Sequence, residues 1–488
     1  MPVDQVLERG ERGGLKRRLS GTGLVGIGIG IIVGTGIFTL TGVEAKEHAG
    51  PGIVLSFLIG GVVAALAALC YAELAAAVPT AGSAYTYAYA TLGELFAWII
   101  GWDLLLEFAL GAAVNSRAWS GYIANLLGLP QEWFGEDSSV NLGAMAIIAL
   151  LTVIAIIGIR GSSLFTNALV VVKVAVCVMV VAAGLFFLNG ANLTPFVPPA
   201  QPAEASAGTF DQPLIQLTLG LQQSVYGMGG VLTAAAIVFF SYTGFESLAN
   251  LGEETKNPKR DLPVGLLGSL VVCTVLYVAV SFVITAMVDY RTIDEGAPIA
   301  AAFDSVGMPW IGALVSLGAV TGLTSVIMVE LITVGRIGFA MSRDGLLPRP
   351  LSRVHPRWAT PHRMTIGGAV VIILLAGFVP ISELADMVSI GGLSGFLIVA
   401  LAVPVLRHRK PDLQRPFRTP LSPVLPVVTA LACLYLMFNL DVATWVRFGA
   451  WLLVGLLLYV AYGRRHARLA TGESAVSADE QAGGGQSG

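Results

Sequence analysis

The chain has 488 residues, of which 55% are hydrophobic and 12% are charged, with a formal net charge of −3 and a mean hydropathy of +0.78. Soluble domains carry about 25% charged residues, so this composition excludes an ordinary soluble domain and predicts a polytopic all-α membrane protein. The sequence contains no Walker A, HExxH, GxSxG, metal-ligand or nucleic-acid-binding signature. We therefore expect no enzyme activity, no bound metal or cofactor and no nucleic-acid partner.

Apolar runs of about 20 residues, the length that spans a bilayer, recur between short polar loops. They predict one transmembrane domain over residues 21–468, preceded by a basic tail (1–20) and followed by a disordered tail of small polar residues (469–488). The twelve candidate spans cover residues 22–42, 53–78, 97–127, 142–159, 164–188, 231–251, 262–288, 310–338, 365–380, 384–406, 422–438 and 444–462.

Lysine and arginine fall almost entirely on one side of these spans. Only Lys46, Arg291 and Arg447 lie in loops on the other side, and only Arg117 and Lys173 lie within spans. Cytoplasmic loops carry the excess of basic residues in membrane proteins. We therefore expect both termini in the cytoplasm.

The first span contains GIGIGIIVGTGIF at 26–38, which is too rich in glycine to form a stable helix. Gly34-Thr35-Gly36 favours an unwound turn, and bare backbone in a bilayer occurs only where it lines a cavity or meets a ligand. The N-terminus of the half-helix that follows would suit a carboxylate. The alternative is that all these glycines allow close helix packing, and this is our interpretation of the earlier ones: Gly26, Gly28 and Gly30.

The third span repeats polar or small residues at every fourth position, at Asp103, Glu107, Gly111 and Asn115. This spacing places them on one helix face, which we expect to point into the protein. In the fifth span, Lys173 stands alone among apolar residues. Ionisable groups at membrane depth are functional candidates, so Lys173 is a candidate proton carrier; a structural ion pair, for instance with Glu107, is the alternative.

The sixth span repeats the Thr-Gly pair of the first, in SYTGFE at 241–246. Glycine-interrupted spans at matching places in two halves of a chain indicate inverted repeats and a site built from broken helices. Freed carbonyls over 240–243 are predicted to accept hydrogen bonds from an ammonium group. Glu246, a carboxylate at membrane depth, should face the interior and bind a cation or order a gate.

In the eighth span, Thr321, Thr324 and Ser325 carry hydroxyl groups. Hydroxyls in membrane helices commonly bond to the carbonyls of their own helix. The other interpretation is that these groups help to form an ion or proton site.

Four long stretches resemble the amino acid–polyamine–organocation superfamily, and within it the cationic amino acid transporter family and its bacterial relatives. They are IGIGIIVGTGIFTLTG, CYAELAAAVPTAGSAYTYAYATLGELFAWIIGWDLLLEF, FFSYTGFESLANLGEETKNPKRDLPVGLLGS and GRIGFAMSRDGLLPRPLSRVHPRWATPHR. The resemblance covers nearly the whole chain except its tails. It implies a leucine-transporter-type fold: twelve transmembrane helices, ten of them in a five-plus-five inverted repeat with discontinuous helices 1 and 6.

The same resemblance implies roles for individual residues. The carboxylate of the substrate would bind Gly34, Thr35 and Gly36, with Ile32 nearby. Its amino group and side chain would meet Phe240, Ser241 and Thr243. Lys173 would take the place of the sodium ion of sodium-coupled relatives, which suggests proton coupling, with Thr324 and Ser325 near it.

The pocket departs from the family pattern in two places. Gly244-Phe245-Glu246 stands where the family motif reads GFD, and the residues before it are Ser241-Tyr242-Thr243. A preference for arginine and lysine over small neutral amino acids therefore stays open. We assign Glu107 and Glu246 to the expected substrate site without a defined role.

The expected function is secondary active transport of cationic or small neutral L-amino acids across a bacterial plasma membrane, by proton symport and alternating access. The expected partners are the amino-acid substrate and membrane lipid, with one small membrane partner or none. The alternatives are an amino-acid or polyamine exchanger, a transport-inactive sensor of the same fold, and a channel. A channel should show a continuous polar stripe and no pair of broken helices.

Overall fold

The structure, a computed structural model of the chain, describes residues 19–77, 94–136, 138–157, 163–203, 208–355, 357–358, 360–412 and 414–466. The predicted tail 469–488, and all but the last two residues of the tail 1–20, lie outside this part of the chain. The described residues are mostly helical.

Each candidate span overlaps a helix of the structure. The main helices are α1 (Gly21–Ile32), α2 (Ile53–Ala77), α3 (Glu94–Leu127), α4 (Leu142–Ile157), α5 (Ser163–Gly184), α6 (Gly227–Val238), α7 (Pro258–Met287), α8 (Pro309–Arg343), α9 (His362–Phe378), α10 (Ile381–Arg409), α11 (Val424–Phe438) and α12 (Val442–Leu458). Within the described ranges, eight helical stretches are long and apolar enough to cross a bilayer, and α1, α4, α9 and α11 are shorter apolar helices. The composition-based prediction of a multi-pass helical membrane protein is confirmed.

The first predicted span is not one continuous helix: it is interrupted at the end of α1. Ile32 ends α1, Val33 is extended, and helical geometry resumes at Thr35. The chain then continues as short π- and α-helical segments: Gly36–Leu40, Thr41–Glu44 and Ala45–Ala49. The interruption therefore lies at Val33 and Gly34, so Thr35 and Gly36 already belong to the first turn of the second half-helix.

A second interruption follows α6. A 3-10 turn over Phe239–Tyr242 extends α6, after which Thr243 is extended and Gly244 has a φ of +96°. Side chains with a Cβ atom rarely adopt this conformation, which explains the glycine. The 3-10 helix Phe245–Glu254 then carries the chain onward.

The helices around these interruptions bring them together in the core. α3 packs along α8 and α10, while α7 packs against both α1 and α2. Among the glycines predicted to pack, Gly28 lies against Ser269 and Gly30 against Val170. The packing prediction for Gly26 is wrong: a Cβ atom added there would meet no atom within 4 Å, because this residue faces away from the neighbouring helices.

The remaining elements are short and lie in the connections. β1 (Gln201–Pro202) and β2 (Ser224–Val225) form a two-stranded antiparallel ladder between α5 and α6. The other short helices are Gly50–Gly52, Gln131–Phe134, Leu185–Phe187, Gly190–Leu193, Thr209–Asp211, Leu214–Thr218, Tyr290–Thr292, Pro298–Ser305, Arg349–Ser352, Tyr459–Gly463 and Arg464–His466.

Candidate functional site

A cavity of about 290 Å³ lies beside both helix interruptions. Ile31 borders it ahead of the first interruption, and Thr243 and Gly244 border it at the second. Two carboxylates, Glu107 of α3 and Glu330 of α8, also face it. The cavity therefore combines irregular backbone with buried charge, as a binding site within a membrane protein does.

Among the described residues, the wall of the cavity is exposed at one end. Arg336, at that end of its wall, is exposed, and Ile27, Leu251 and Thr333 are partly exposed. At the other end, Thr35 is completely buried. The described wall of the cavity is therefore exposed at Arg336, whereas the first interruption, beyond Ile31, is buried.

The first interruption offers fewer free donors than its sequence suggested. Asn115 Oδ1 accepts hydrogen bonds from the Thr35 N–H at 3.1 Å and from the Thr35 hydroxyl at 2.7 Å. The hydrogen bonds of the described residues include none from the N–H of Gly34, which is buried. Buried N–H groups normally have a partner, so the Gly34 N–H is a candidate donor to a ligand.

Asn115 continues this network toward α8. Its Nδ2 donates to both carboxylate oxygens of Glu330, each at 3.1 Å, and to the Gly111 carbonyl at 2.9 Å. The predicted polar face of α3 does point into the protein, because Asp103, Glu107 and Asn115 are each less than 7% exposed. Asn115 therefore links the first interruption to a carboxylate on a different helix.

The second interruption satisfies part of its own backbone. The Phe240 carbonyl accepts from the Thr243 N–H at 3.1 Å and from the Thr243 hydroxyl at 2.9 Å, which uses both of its lone pairs. The Phe240 N–H donates to Ser389 Oγ of α10 at 3.2 Å. No hydrogen bond of the described residues reaches the Thr243 carbonyl. Of the carbonyl groups over 240–243 that were predicted to accept from an ammonium group, that of Phe240 therefore has no lone pair left.

One tyrosine of α7 holds the two interruptions together. The Tyr277 hydroxyl lies 2.8 Å from the Ile32 carbonyl and 3.1 Å from the Ser241 carbonyl. Gly36 packs directly on Ser241, whose side chain a Cβ atom on Gly36 would overlap. The predicted residues Ile32, Gly36 and Ser241 are therefore brought into one place, with Tyr277 as a member that sequence reasoning missed.

The two predicted acidic residues have different surroundings. Both oxygens of Glu246 accept from the Gly244 N–H at 3.0 Å, so this carboxylate satisfies a backbone donor just before the 3-10 helix Phe245–Glu254. Glu107 Oε1 is buried and has no hydrogen-bond partner. Each residue is less than 7% exposed, and their charges interact. Glu246 thus has a structural contact, whereas Glu107 presents a free oxygen.

Lys173 of α5 is fully buried beside the end of α1. Its Nζ donates to the Gly30 carbonyl at 2.8 Å. The acidic residue whose charge acts on it is Glu330, rather than the Glu107 considered from the sequence. Its side chain lies against Gly322 of α8. One amine therefore touches the first broken helix and lies next to the helix that carries Glu330.

A family model described as "Amino acid permease" matches residues 19–461. The chain belongs to the amino acid permease family. The resemblance recognised from its motifs is thereby confirmed. A branched-chain amino acid permease of Bacillus subtilis is 41% identical over 470 residues, covering 93% of this chain and 95% of its own.

Two further relatives show how widely this permease sequence is shared. A methylthioribose transporter of Bacillus subtilis is 38% identical over 478 residues, covering 96% of this chain and 98% of its own. A mitochondrial cationic amino acid transporter of Arabidopsis thaliana is 31% identical over 579 residues, covering 93% of this chain and 92% of its own. Because the family and these relatives are permeases and transporters, the chain is a membrane transport protein and not an enzyme.

The hydroxyls predicted on α8 of the permease bond to their own helix. Thr324 Oγ1 donates to the Val320 carbonyl at 2.7 Å and accepts from Trp119 Nε1 at 3.0 Å. Ser325 Oγ donates to the Gly322 carbonyl at 2.7 Å, and Ser325 borders the cavity. These bonds match the ordinary behaviour of membrane hydroxyls, and only Ser325 reaches the cavity.

Glu330 is a second residue of the permease site that sequence reasoning missed. Its signal was present, since it is a carboxylate within the apolar run VIMVELITV of the eighth span. The rule that singled out Glu246, an ionisable side chain at membrane depth, applies equally to it. Its connection to Asn115 and Lys173 depends on the packing of three helices and has no counterpart in sequence spacing.

Proposed function

We propose that this permease is a secondary active transporter that carries amino acids across the plasma membrane by alternating access. Its twelve helices would form a five-plus-five inverted repeat with two additional C-terminal helices. The observation that carries the proposal is the contact between the two interrupted helices, at Gly36 and Ser241, beside a buried cavity. Discontinuous helices that meet in this way form the central binding site of secondary transporters.

The α-carboxylate of the substrate would bind at the first interruption. The unpaired N–H of Gly34 and the positive end of the half-helix that starts at Thr35 both favour an anion. Thr35 would mark the start of this half-helix without donating to the carboxylate, because its N–H and its hydroxyl already donate to Asn115. Gly36 would complete the cradle, since only glycine allows the second half-helix to approach Ser241.

The α-ammonium group would bind at the second interruption. The Thr243 carbonyl is free of hydrogen bonds from the described residues, and the Ser241 carbonyl accepts only from Tyr277 among them, leaving one lone pair. Phe240 would flank the side chain of the substrate, since it borders the cavity. A zwitterion is thus held between N–H groups of one broken helix and carbonyl groups of the other.

Proton coupling would use Lys173. Its amine bonds to the Gly30 carbonyl of the half-helix that leads to the carboxylate site. Gain or loss of its proton changes the strength of that bond, so protonation and the position of α1 are linked. Thr324 and Ser325 follow Gly322, the neighbour of Lys173 on α8, by two and three residues, and would support this region.

The cavity indicates the direction in which the structure is open. Arg336 marks its exposed end, and Arg336 lies among the basic residues that the positive-inside rule assigns to the cytoplasm. The structure would therefore be inward-facing, with both termini cytoplasmic. Release of substrate would occur past Ile27 and Leu251.

The class of substrate is the open part of this proposal. Glu107 presents an unpaired buried oxygen to the cavity, which favours a cationic or polar side chain. A relative named as a branched-chain amino acid permease favours neutral amino acids with branched apolar side chains instead. A relative named as a methylthioribose transporter makes that uncharged thiosugar a second candidate.

Uptake by the purified protein in liposomes tests the proposal. Labelled arginine, lysine, alanine, leucine and methylthioribose are each offered with and without an inward proton gradient. We expect at least one amino acid to accumulate only when the gradient is imposed. Uptake that requires a trapped amino acid inside and ignores the gradient would instead identify an exchanger, and absence of uptake in a folded protein would favour a sensor.

A further inference from the structure

Three metal-ligating side chains meet at the far end of the first broken helix, away from the cavity. Glu44, Glu47 and His48 each offer one ligand atom, and these atoms lie within 4.8 Å of one another. Glu44 is completely buried, Glu47 is exposed and His48 is partly exposed. The group therefore has a buried floor and an opening to the surface.

An ion pair between two of these residues explains only half of the arrangement. His48 Nδ1 lies 2.9 Å from Glu44 Oε2, but Glu44 Oε1 is buried without any hydrogen-bond partner. A buried carboxylate oxygen without a partner is costly. The unpaired oxygen belongs to the side chain that already binds His48, so it points to a further cation at this position.

The surroundings of this cluster are strongly acidic. Asp386 of α10 has a buried oxygen, Oδ1, that also lacks a partner, and its charge interacts with those of Glu44 and His48. Asp441, before α12, interacts electrostatically with His48 as well. Two further cations, Lys46 and Arg447, act on these carboxylates, but each is paired with another acid. A divalent ion would bring positive charge that these pairs do not supply.

The backbone under the cluster is fixed by neighbouring elements. The Tyr226 hydroxyl, at the start of α6, donates to the Lys46 carbonyl at 2.6 Å. Gly230 of α6 packs against the His48 carbonyl so closely that a Cβ atom would overlap it. The cluster is therefore held in place before any ligand arrives, which is what a metal site requires.

We propose that Glu44, Glu47 and His48 bind a divalent transition-metal ion, with Zn²⁺ as the best-suited probe. Two carboxylates and one imidazole are ordinary ligands for zinc, which leaves a fourth position to water. Sequence reasoning expected no metal. The spacing E-x-x-E-H in EAKEH (44–48) offered a signal, because residues three and four apart share a helix face.

Zinc binding to the full-length protein, stripped of metal and purified in detergent, tests the proposal by calorimetric titration. We expect about one Zn²⁺ per chain, with the affinity reduced at least about tenfold in His48→Gln and in Glu47→Gln. Glu47 is exposed, so Glu47→Gln should fold even if changes at buried Glu44 do not. Zinc should also raise the melting temperature of the unmodified protein and not that of these variants.

Two matched controls separate this site from general zinc binding. Glu295→Gln removes a neighbouring acid that pairs with Lys46 at 2.6 Å, and His408→Gln removes an exposed histidine at the end of α10. Both should bind zinc as the unmodified protein does. The proposal is overturned if the unmodified protein binds no zinc, if His48→Gln and Glu47→Gln bind it equally well, or if the controls lose it too.

Discussion

Gly36 and Ser241 are in direct contact, and through them the two interrupted helices touch. A Cβ atom added to Gly36 would overlap the side chain of Ser241 and would lie 2.7 Å from its Cα atom. Because that Cα atom belongs to the backbone, a change of side-chain rotamer cannot relieve the overlap. The residue at this position must therefore be glycine if both interruptions are to remain together.

The first prediction is that Gly36→Ala abolishes uptake of every substrate that the protein carries. The added methyl group forces the two half-helices apart, and overpacking of this kind costs about 1–3 kcal/mol of unfolding free energy. Uptake in liposomes and thermal melting in detergent measure the two effects. Loss of only one substrate would contradict a carboxylate cradle that all amino acids share.

Gly26→Ala is the matched control, since it makes the same substitution in the preceding half of the same span. A Cβ atom at Gly26 meets nothing within 4 Å, and alanine is favoured over glycine in a helix by about 1 kcal/mol. We expect unchanged uptake and equal or slightly higher thermal stability. Equal losses of uptake in both variants would show that the span tolerates no added methyl group at either position. The contact between Gly36 and Ser241 would then not explain the effect of Gly36→Ala.

The second prediction concerns Asn115, which bonds to the first interruption and to Glu330. Asn115→Ala leaves the Thr35 N–H, the Thr35 hydroxyl and the Glu330 carboxylate without these partners. Each buried polar group that loses its partner costs about 1–3 kcal/mol. We expect a large loss of uptake together with a lower melting temperature.

Asn125→Ala is the corresponding control on α3. Asn125 is exposed and its Oδ1 accepts one hydrogen bond, from Ser316 Oγ at 2.9 Å. A single bond of this kind contributes about 0.5–1.5 kcal/mol, and the residue lies outside the cavity wall. Uptake should stay near the unmodified rate; a loss equal to that of Asn115→Ala would mean that α3 tolerates no change of asparagine.

The third prediction is that Lys173→Ala removes the response of uptake to a proton gradient. Lys173 is fully buried and bonds to the half-helix that leads to the carboxylate site, so its loss uncouples protonation from α1. Lys259→Ala, at an exposed position, is the control and should keep the response. An unchanged response in Lys173→Ala would exclude this residue as the proton carrier.

Glu330 should share this role, and a double-mutant cycle measures how strongly. Lys173→Met and Glu330→Gln each remove one of two buried ionisable groups that act on each other electrostatically, whereas the double variant removes both. We expect the double variant to be less destabilised than the sum of the two single variants, by a coupling energy of about 0.5–3 kcal/mol. Simple additivity of the melting data would show that the two charges act independently.

The interruptions of both helices could be predicted from sequence, because glycine and membrane depth are local signals. Which backbone N–H groups remain free of hydrogen bonds at these interruptions could not be predicted from sequence. Thr35 was predicted to bind a carboxylate, yet both of its donors bond to Asn115, which lies 80 residues away. The prediction that Gly26 packs against a neighbouring helix was wrong for a related reason. The positions of α7 and α5, and not the spacing of the glycines, decide which face of α1 meets other helices.

The remaining part of the site depended on contacts between helices. Tyr277 joins the Ile32 and Ser241 carbonyls from a third helix, and nothing around it in the sequence marks that role. Glu330 could have been found, since it is a carboxylate in an apolar run. Sequence patterns therefore identify which residues are unusual for a membrane span, while their partners follow only from the fold.

The fourth prediction compares two ion pairs of the same chemical type and different burial. Glu73 of α2 is 1% exposed and accepts from Arg407 Nε at 2.9 Å, Arg407 Nη2 at 2.7 Å and the Thr419 N–H at 2.7 Å. Glu383 pairs with Arg447 at 2.7 Å, but both side chains are more than 40% exposed. Breaking a fully buried pair costs about 3–5 kcal/mol, whereas an exposed pair contributes about 0–1 kcal/mol. The Arg407 side chain is 28% exposed, so the cost of breaking its pair with Glu73 should lie between these values. Thermal melting should therefore show a clearly larger loss for Glu73→Gln than for Glu383→Gln, and equal losses would contradict a role for burial.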